Sequence, residues 1–341
     1  MMLARVWRAS WTVVVAGALV IAALCPVIFS TYFTSAVMVV VLWTGLAAAS
    51  LSFLAGYGGM VSLGQMAPFG VAGFVTAKLS VDSHWNPWWA ALAGLGIAVA
   101  VGLFFGAIAS SSQGIYFLMI TLAFAMLTFY YFSQVPTFGA HEGINGATPP
   151  KLLGDPVLHP TRMYYASLIA CAVLYAVIRY LGDTAFGLTL QGVRDDPVRM
   201  SALGFSVRWH RTIGFAAGAV IAGVAGILAT WSNTRISPGS IDITRTIDIL
   251  AVAVIGGLYR LEGAWIGAFA FVTLDTYTRG ISDRFETYIG LIFLAIVIVS
   301  PDGLFGAWRV VDAHVRRRLL GNGGSRPPTQ TLTEPETEVA T

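Results

Sequence analysis

Two acidic side chains, Asp248 and Asp275, lie in or beside apolar stretches and are the first candidates for chemistry. Arg245 stands three residues before Asp248 and Arg279 four residues after Asp275, so a helix would bring each pair of opposite charges together. A carboxylate inside a membrane protein can mark a solute pathway or a gate, because burying an unpaired charge there is costly. The sequence favours the simpler interpretation of paired carboxylates at helix ends, and Asp248 also remains a candidate pathway residue.

The sequence has no motif for nucleotide hydrolysis, metal binding or nucleophilic catalysis. The phosphate-binding pattern Gly-x-x-x-x-Gly-Lys-Ser/Thr is missing, and Lys78 and Lys151 are the chain's two lysines. The five histidines are scattered without the His-Glu-x-x-His spacing of a zinc site, and no Gly-x-Ser-x-Gly elbow occurs. We therefore expect neither enzymatic activity nor a cofactor, metal or nucleic-acid partner. An intramembrane enzyme would need an acid–base pair that the sequence does not offer.

The composition predicts that the chain lies in a lipid bilayer, because 56% of the 341 residues are hydrophobic and only 11% are charged. Asp248 and Asp275 would then be positioned by membrane helices. A membrane span needs about 20 mostly apolar residues. The chain offers ten such segments: 11–29, 35–55, 61–80, 88–109, 115–134, 162–180, 212–232, 246–258, 263–280 and 286–300. The glycine-rich 61–80 and the short 246–258 are the two that could instead be re-entrant loops. The expected fold is an all-α transmembrane bundle of about ten spans.

The distribution of basic residues sets the expected orientation. Ten crossings place the N-terminus, the C-terminus and most Lys and Arg residues in the cytosol, as the positive-inside rule requires. Failure of 246–258 to cross would move Arg316 to Arg318 outside. The first apolar segment lacks a clean cleavage site and is interpreted as an uncleaved helix. We expect a permease domain over 1–320 and a disordered cytosolic tail over 321–341, rich in Gly, Pro, Thr and Glu.

The segment 181–211 carries the signals of a short capped helix. Asp196 is a suitable N-cap, Pro197 fits the first turn, and Gly204 fits the left-handed position after the last turn. A helix of about seven residues, roughly 10 Å long, is too short to be stable alone and must dock on another surface. The chain itself, lipid headgroups or a cytosolic protein could supply that surface. The candidate contact residues are Arg194, Asp195, Asp196, Arg199, Ala202, Leu203 and Gly204.

Glycines have two expected roles. Gly214, Gly218 and Gly226 repeat along one face of the span 212–232, which is typical of close helix packing in membranes. The stretch from Gly56 to Gly73 is less regular and also contains Pro68, so it indicates either a discontinuous span that lines a cavity or a turn at 56–60 before an intact helix. Candidate pathway residues by position are Tyr57, Ser62, Gln65, Thr121 and Asp248.

Cys25 and Cys171 fall within spans and are expected to be packing residues.

Several of these stretches resemble the branched-chain amino-acid permease family of ATP-binding-cassette importers. Arg194, Asp195, Ala202, Leu203 and Gly204 match that family's cytoplasmic coupling loop. The glycine-rich stretch matches at Gly56, Tyr57, Gly59, Ser62, Leu63, Gly64, Phe69 and Gly70, while Gln65 stands where histidine is commoner. Further matches occur at 114–127, 140–146, 253–269 and 300–306, so the resemblance covers roughly 35–306.

The resemblance implies a subunit that moves branched-chain amino acids, or a related small polar solute, across the bacterial cytoplasmic membrane. It implies three protein partners: a second homologous permease chain, a cytosolic ATPase dimer docked on 195–205, and an extracytoplasmic solute-binding protein at the outer loops, of which 135–161 is the longest. Relatives for urea and short amides leave the solute open. The rival hypothesis is a stand-alone ion-coupled transporter or channel, which would need midplane carboxylates and no coupling helix.

Overall fold

The computed structural model describes residues 17, 20–26, 33–156, 158–279, 287, 290–291, 294 and 303. In this part of the chain the helices are α1 Val39–Gly58, α2 Met66–Val81, α3 Pro87–Ala109, α4 Ile115–Gln134, α5 Pro160–Asp183, α6 Ala185–Asp195, α7 Pro197–Ala202, α8 Val207–Asn233, α9 Ile243–Gly256 and α10 Leu261–Arg279. A π-turn at Thr34–Met38 precedes α1, and 3-10 turns lie at Pro136–Phe138 and Pro238–Ser240. Two short strands, β1 Ile144–Asn145 and β2 Arg235–Ile236, pair antiparallel.

The all-α, polytopic character expected from composition is confirmed for the described residues, whereas the count of ten spans is not. Five helices there are long and apolar enough to cross a membrane: α1, α3, α4, α5 and α8. With 16 and 14 residues, α2 and α9 are shorter than the roughly 20 residues of a full span. Most of 11–29 and 286–300 lies outside the described residues, as do the tail 321–341 and Arg316 to Arg318.

Helices α1 and α8 form the centre of the bundle. Their most apolar windows are 89% and 78% buried, against 33% or less for α3, α4 and α5. Helices α2 and α3 pack on α8, and α10 packs on α1. The outer faces of α3, α4 and α5 are therefore left for lipid or for another protein chain.

The glycines of α8 lie where neighbouring elements approach most closely. A Cβ atom added at Gly214 would lie 3.2 Å from Leu190 of α6, and one added at Gly218 would lie 3.2 Å from Leu54 of α1. At Gly226 the added atom would overlap the backbone carbonyl of Phe69 in α2. Since lipid gives helices little hydrophobic reason to associate, such close contacts supply much of the packing energy.

The glycine-rich stretch combines features of both alternatives considered from the sequence. Helix α1 ends at Gly58. The next residue, Gly59, has a φ of 64°, a left-handed conformation that suits glycine. Residues 59–65, here called the linking segment, are non-helical and mostly buried, and α2 then runs unbroken from Met66. The break thus precedes the helix, and Pro68 lies in the first turn, where its missing N–H costs no intrahelical bond.

Candidate functional site

A cavity of about 830 Å³ lies between the central helices, at the face opposite α6 and α7. In the topology expected from charge, α6 and α7 are cytosolic and this is the outer face, so we call the space the outer cavity. It reaches from the segment 233–240 down to Met66 and Phe69, which form its floor. The side walls come from α1, α8, α9 and α10, through Val40, Trp43, Thr44, Ala229, Thr230, Asn233, Arg245, Asp248, Ile249, Phe271, Val272, Asp275 and Thr276.

Charges of both signs line the outer cavity. Arg245 and Asp248 form an ion pair, with Nη1 3.4 Å from Oδ2, and both side chains remain partly exposed. Arg235 and Asp275 line the same space. Helix α9 holds this pair in place because Asp242 caps its N-terminus, accepting a hydrogen bond of 2.9 Å from the Arg245 N–H. The helical pairing expected for Asp248 and its position on a cavity wall are therefore both present.

The remaining wall surface combines apolar side chains with uncharged polar ones such as Thr44, Thr230 and Asn233. Trp43 of α1 and Phe69 of α2 face each other with ring centroids 6.1 Å apart, and Phe271 and Val272 line the cavity from α10. A cavity that combines a few charged groups with an apolar surface on one side is suited to a small amphipathic molecule in a defined orientation.

The rim of the outer cavity is tied to the longest outer loop. Strand β1 of that loop pairs with β2, matching Ile144 with Ile236. The N–H groups of Gly146 and Ala147 both donate to the carbonyl of Thr234, at 2.9 and 3.1 Å. A protein that presses on this loop would therefore act directly on the segment that lines the cavity.

Of the five candidate pathway residues, Asp248 alone lines the outer cavity. The Thr121 hydroxyl accepts a hydrogen bond from the Leu63 N–H at 3.2 Å, and the Ser62 hydroxyl accepts one from the Gly64 N–H at 3.1 Å. Both side chains thus hold the linking segment in its non-helical conformation. Tyr57 lies at the end of α1 against Phe53, and Gln65 is buried directly before the cavity floor.

The short helix expected in segment 181–211 is present as α7, with six residues. Asp196 Oδ1 accepts a hydrogen bond of 2.9 Å from the Arg199 N–H, as expected for an N-cap. At the other end, Gly204 has a φ of 89°, its N–H bonds to Ser201 and the Phe205 N–H bonds to Met200. This pair of bonds is the Schellman motif.

Helix α7 presents an apolar surface that nothing in the described chain covers. No residue of α7 is buried, and the exposed fractions of Val198 and Leu203 are 76% and 65%. Phe205 and Trp209 are also exposed. We call these four side chains the docking patch. Several exposed apolar side chains close together in sequence, around one short helix, indicate a candidate interaction site.

Two contacts connect α6 with the end of α1 and with the linking segment. Arg194 Nη1 donates a hydrogen bond to the carbonyl of Gly56, and the same side chain packs over Gly59. Leu190, fully buried, packs beside Met60 and Gly214. Because Met200 of α7 packs against Gly192 of α6, a displacement of α7 would reach the linking segment through α6.

Sequence reasoning missed α6 and the two arginines of the outer cavity. Helix α6 had a local signal, because Thr184 caps it through the Gly187 N–H and its apolar side chains Phe186, Leu190 and Val193 recur at helical spacing. Arg235 had no such signal, since its place in the cavity depends on pairing between strands that are far apart in sequence.

The caps of α7 lead to a first prediction. Asp196→Ala should destabilise the helix by about 1 kcal/mol and weaken retention of a partner bound to it about fivefold. The matched control is Asp155→Ala, which removes an exposed acid in the loop between α4 and α5, away from α7. Partner retention during affinity purification at graded salt measures both. Equal losses from the two variants would contradict a capping role.

Comparisons with known proteins give consistent results. The model of the family described as branched-chain amino acid transport system, permease component, matches residues 33–301. The high-affinity branched-chain amino acid transport system permease protein LivM of Escherichia coli K12 is 23% identical over 280 residues, covering 74% of this chain and 65% of that protein. The protein of the same name from Salmonella typhimurium is 22% identical over 279 residues, with the same coverage.

A third relative comes from an archaeon. The probable branched-chain amino acid transport permease protein LivH of Methanocaldococcus jannaschii is 27% identical over 167 residues, or 46% of this chain and 51% of that protein. This chain therefore spans slightly less than two thirds of the length of the two LivM proteins. No solved structure matches it.

Proposed function

The chain belongs to the permease-component family of branched-chain amino acid transport systems, and we propose that it is the membrane-spanning subunit of an ATP-driven importer for amino acids with apolar side chains. It would pair with a second permease chain in a bacterial cytoplasmic membrane, with both termini in the cytosol. A dimer of cytosolic ATPases would provide the energy, and an extracytoplasmic binding protein would deliver the solute.

The observation that carries the proposal is the chemical match between the outer cavity and a zwitterion. An amino acid has a carboxylate and an ammonium group, for which Arg235 or Arg245 and Asp248 or Asp275 offer opposite charges. An aliphatic side chain would pack on Trp43 and Phe271. Urea and short amides carry no charge and no large apolar group, so they use less of this surface.

The docking patch supports the proposed partner on the cytosolic side. Its exposed apolar side chains are flanked by Arg199 and Arg208, which suits a groove with an apolar base and an acidic rim. Closure of the ATPases on binding ATP would push α7, and the contacts of Arg194 and Leu190 would pass the movement to the linking segment. The cavity would then close outside and open inside, without covalent chemistry on this chain.

Uptake measurements test the solute. Cells that carry the complete transporter should accumulate radiolabelled leucine, with isoleucine and valine as competitors and urea as a poor one. Asp248→Asn should lower leucine uptake about tenfold or more at low solute concentration, because a charged hydrogen-bond partner of the ammonium group is lost. The control Asp183→Asn makes the same change at the end of α5, outside the cavity lining. Urea uptake without leucine uptake would contradict the proposed solute class.

The carboxylates of the outer cavity are also the feature that an ion-coupled transporter would need. The two functions differ in their energy source, and only the importer requires the docking patch.

A further inference from the structure

Gln65 occupies an unusual position at the junction of the linking segment and α2. It is only 2% exposed, yet neither its amide oxygen nor its amide nitrogen has a hydrogen-bond partner among the described residues. A Cβ atom added at Gly218 would lie 3.3 Å from the Gln65 Oε1. The side chain is therefore held against the central helix α8.

The position of Gln65 in the membrane is set by its contact on α8. Gly218 lies 11 residues after the start of that helix at Val207, or about 16 Å along an α-helix of 1.5 Å rise per residue. The full 27 residues of α8 span about 40 Å by the same measure. Gln65 thus lies against the membrane-spanning part of α8, nearer to its cytosolic end than to its outer end.

Gln65 lies next to the outer cavity without lining it. The cavity floor is formed by Met66, the residue after Gln65, and by Phe69, one helical turn further along α2. A solute that moved inward past these two apolar side chains would next meet Gln65, which directly precedes α2.

The buried amide is energetically unfavourable in the conformation observed. A polar group without a partner in an apolar interior loses its hydrogen bonds to water and gains nothing in return. In Gln65 both a donor and an acceptor are buried without a partner among the described residues. In Ser52 and Ser167 this holds for a single hydroxyl oxygen each. A bound solute in another conformation would satisfy the amide.

The start of α2 adds a partial positive charge but few donors, because the Ala67 N–H bonds to the Gly64 carbonyl and Pro68 has no N–H. The N-terminus of a helix carries partial positive charge, and interrupted helices in transporters direct such ends towards anionic groups of the substrate. Here α2 begins at Met66, immediately after Gln65. The segment before it is also the one that Arg194 and Leu190 contact from α6.

We propose that Gln65 and the N-terminus of α2 form a second solute subsite beneath the floor of the outer cavity, where the Gln65 amide donates to the carboxylate of the amino acid once Met66 and Phe69 have moved aside. This inference rests on the proposed function and adds a step to it. The solute first binds among the charges of the outer cavity and then transfers to Gln65 as the linking segment moves.

The test compares Gln65→Leu with wild type in the complete transporter, with Ser167→Ala as the control that removes another unpartnered buried polar group, on α5. Gln65→Leu should keep the partner ATPase and unfold at the same temperature as wild type or higher, yet transport leucine about tenfold more slowly. Ser167→Ala should transport normally. A Gln65→Leu complex that unfolds normally and transports at the wild-type rate overturns the subsite.

A second measurement decides the matter if Gln65→Leu fails to assemble. The two native cysteines, Cys25 and Cys171, are buried, so a Gln65→Cys variant of the complete transporter can be labelled with a small thiol reagent during turnover. Leucine at saturating concentration should slow the labelling several-fold. Unchanged labelling with leucine would overturn the subsite, whereas a wild-type complex that accumulates no leucine would overturn the proposed function instead.

Discussion

The Leu203→Arg variant is expected to fold and insert into the membrane but to lose its ATPase partner. Leu203 is 65% exposed in the docking patch, so an arginine there disturbs nothing inside the chain. In the proposed interface it would place an uncompensated charge in an apolar groove, at a cost of about 3 kcal/mol or a hundredfold in affinity. Purification through this chain in mild detergent, with partners identified by mass, measures the loss, and leucine uptake should fall with it.

The control for this change is Leu152→Arg. Leu152 is equally accessible, at 81% exposed, but lies in the loop between α4 and α5 at the opposite face. It should leave the ATPase bound. Retention of the ATPase by Leu203→Arg at the wild-type level would show that the docking patch is not the ATPase site.

Gly226→Ala should have the largest effect on stability. A Cβ atom at this position would overlap the backbone carbonyl of Phe69, and backbone cannot move aside as a flexible side chain does. Helix α8 would have to separate from α2 at the cavity floor, and overpacking of this kind costs about 2–3 kcal/mol. Thermal unfolding of the purified complex should show a clear drop in midpoint.

The matched control is Gly96→Ala in α3. An added Cβ atom there meets nothing within 4 Å, so the change should be neutral or stabilise the helix by up to about 1 kcal/mol through its helix propensity. A Gly226→Ala complex as stable as Gly96→Ala would mean that α8 and α2 do not pack as closely as the structure shows.

Local signals in the sequence predicted the local parts of the structure. The cap at Asp196 and the left-handed Gly204 lie within nine residues of each other, and both are found in α7. The length and apolarity of α1, α3, α4, α5 and α8 likewise identified helices that match the expected spans in place. Such features depend on neighbours along the chain and on the bilayer, which the sequence alone describes well.

The features that escaped prediction depend on contacts between distant residues. The Arg194 guanidinium bonds to the carbonyl of Gly56, 138 positions earlier, and no spacing rule indicates that partner. The outer cavity takes its side walls from four helices and its floor from α2, so the position of Arg235 in its lining could not be predicted from the residues next to it in sequence. The linking segment remained ambiguous because the same glycines suit a turn and a broken span, and its conformation depends on a hydrogen bond from the Leu63 N–H to the distant Thr121 hydroxyl.

The measurement that tests the account most directly is solute accumulation in liposomes that contain the complex purified through this chain, with ATP inside and leucine with its binding protein outside. We predict accumulation that requires hydrolysable ATP and persists when ionophores collapse the proton and sodium gradients. Accumulation that needs no ATP and disappears with the ionophores would contradict the account, and would identify an ion-coupled transporter that uses Asp248 and Asp275.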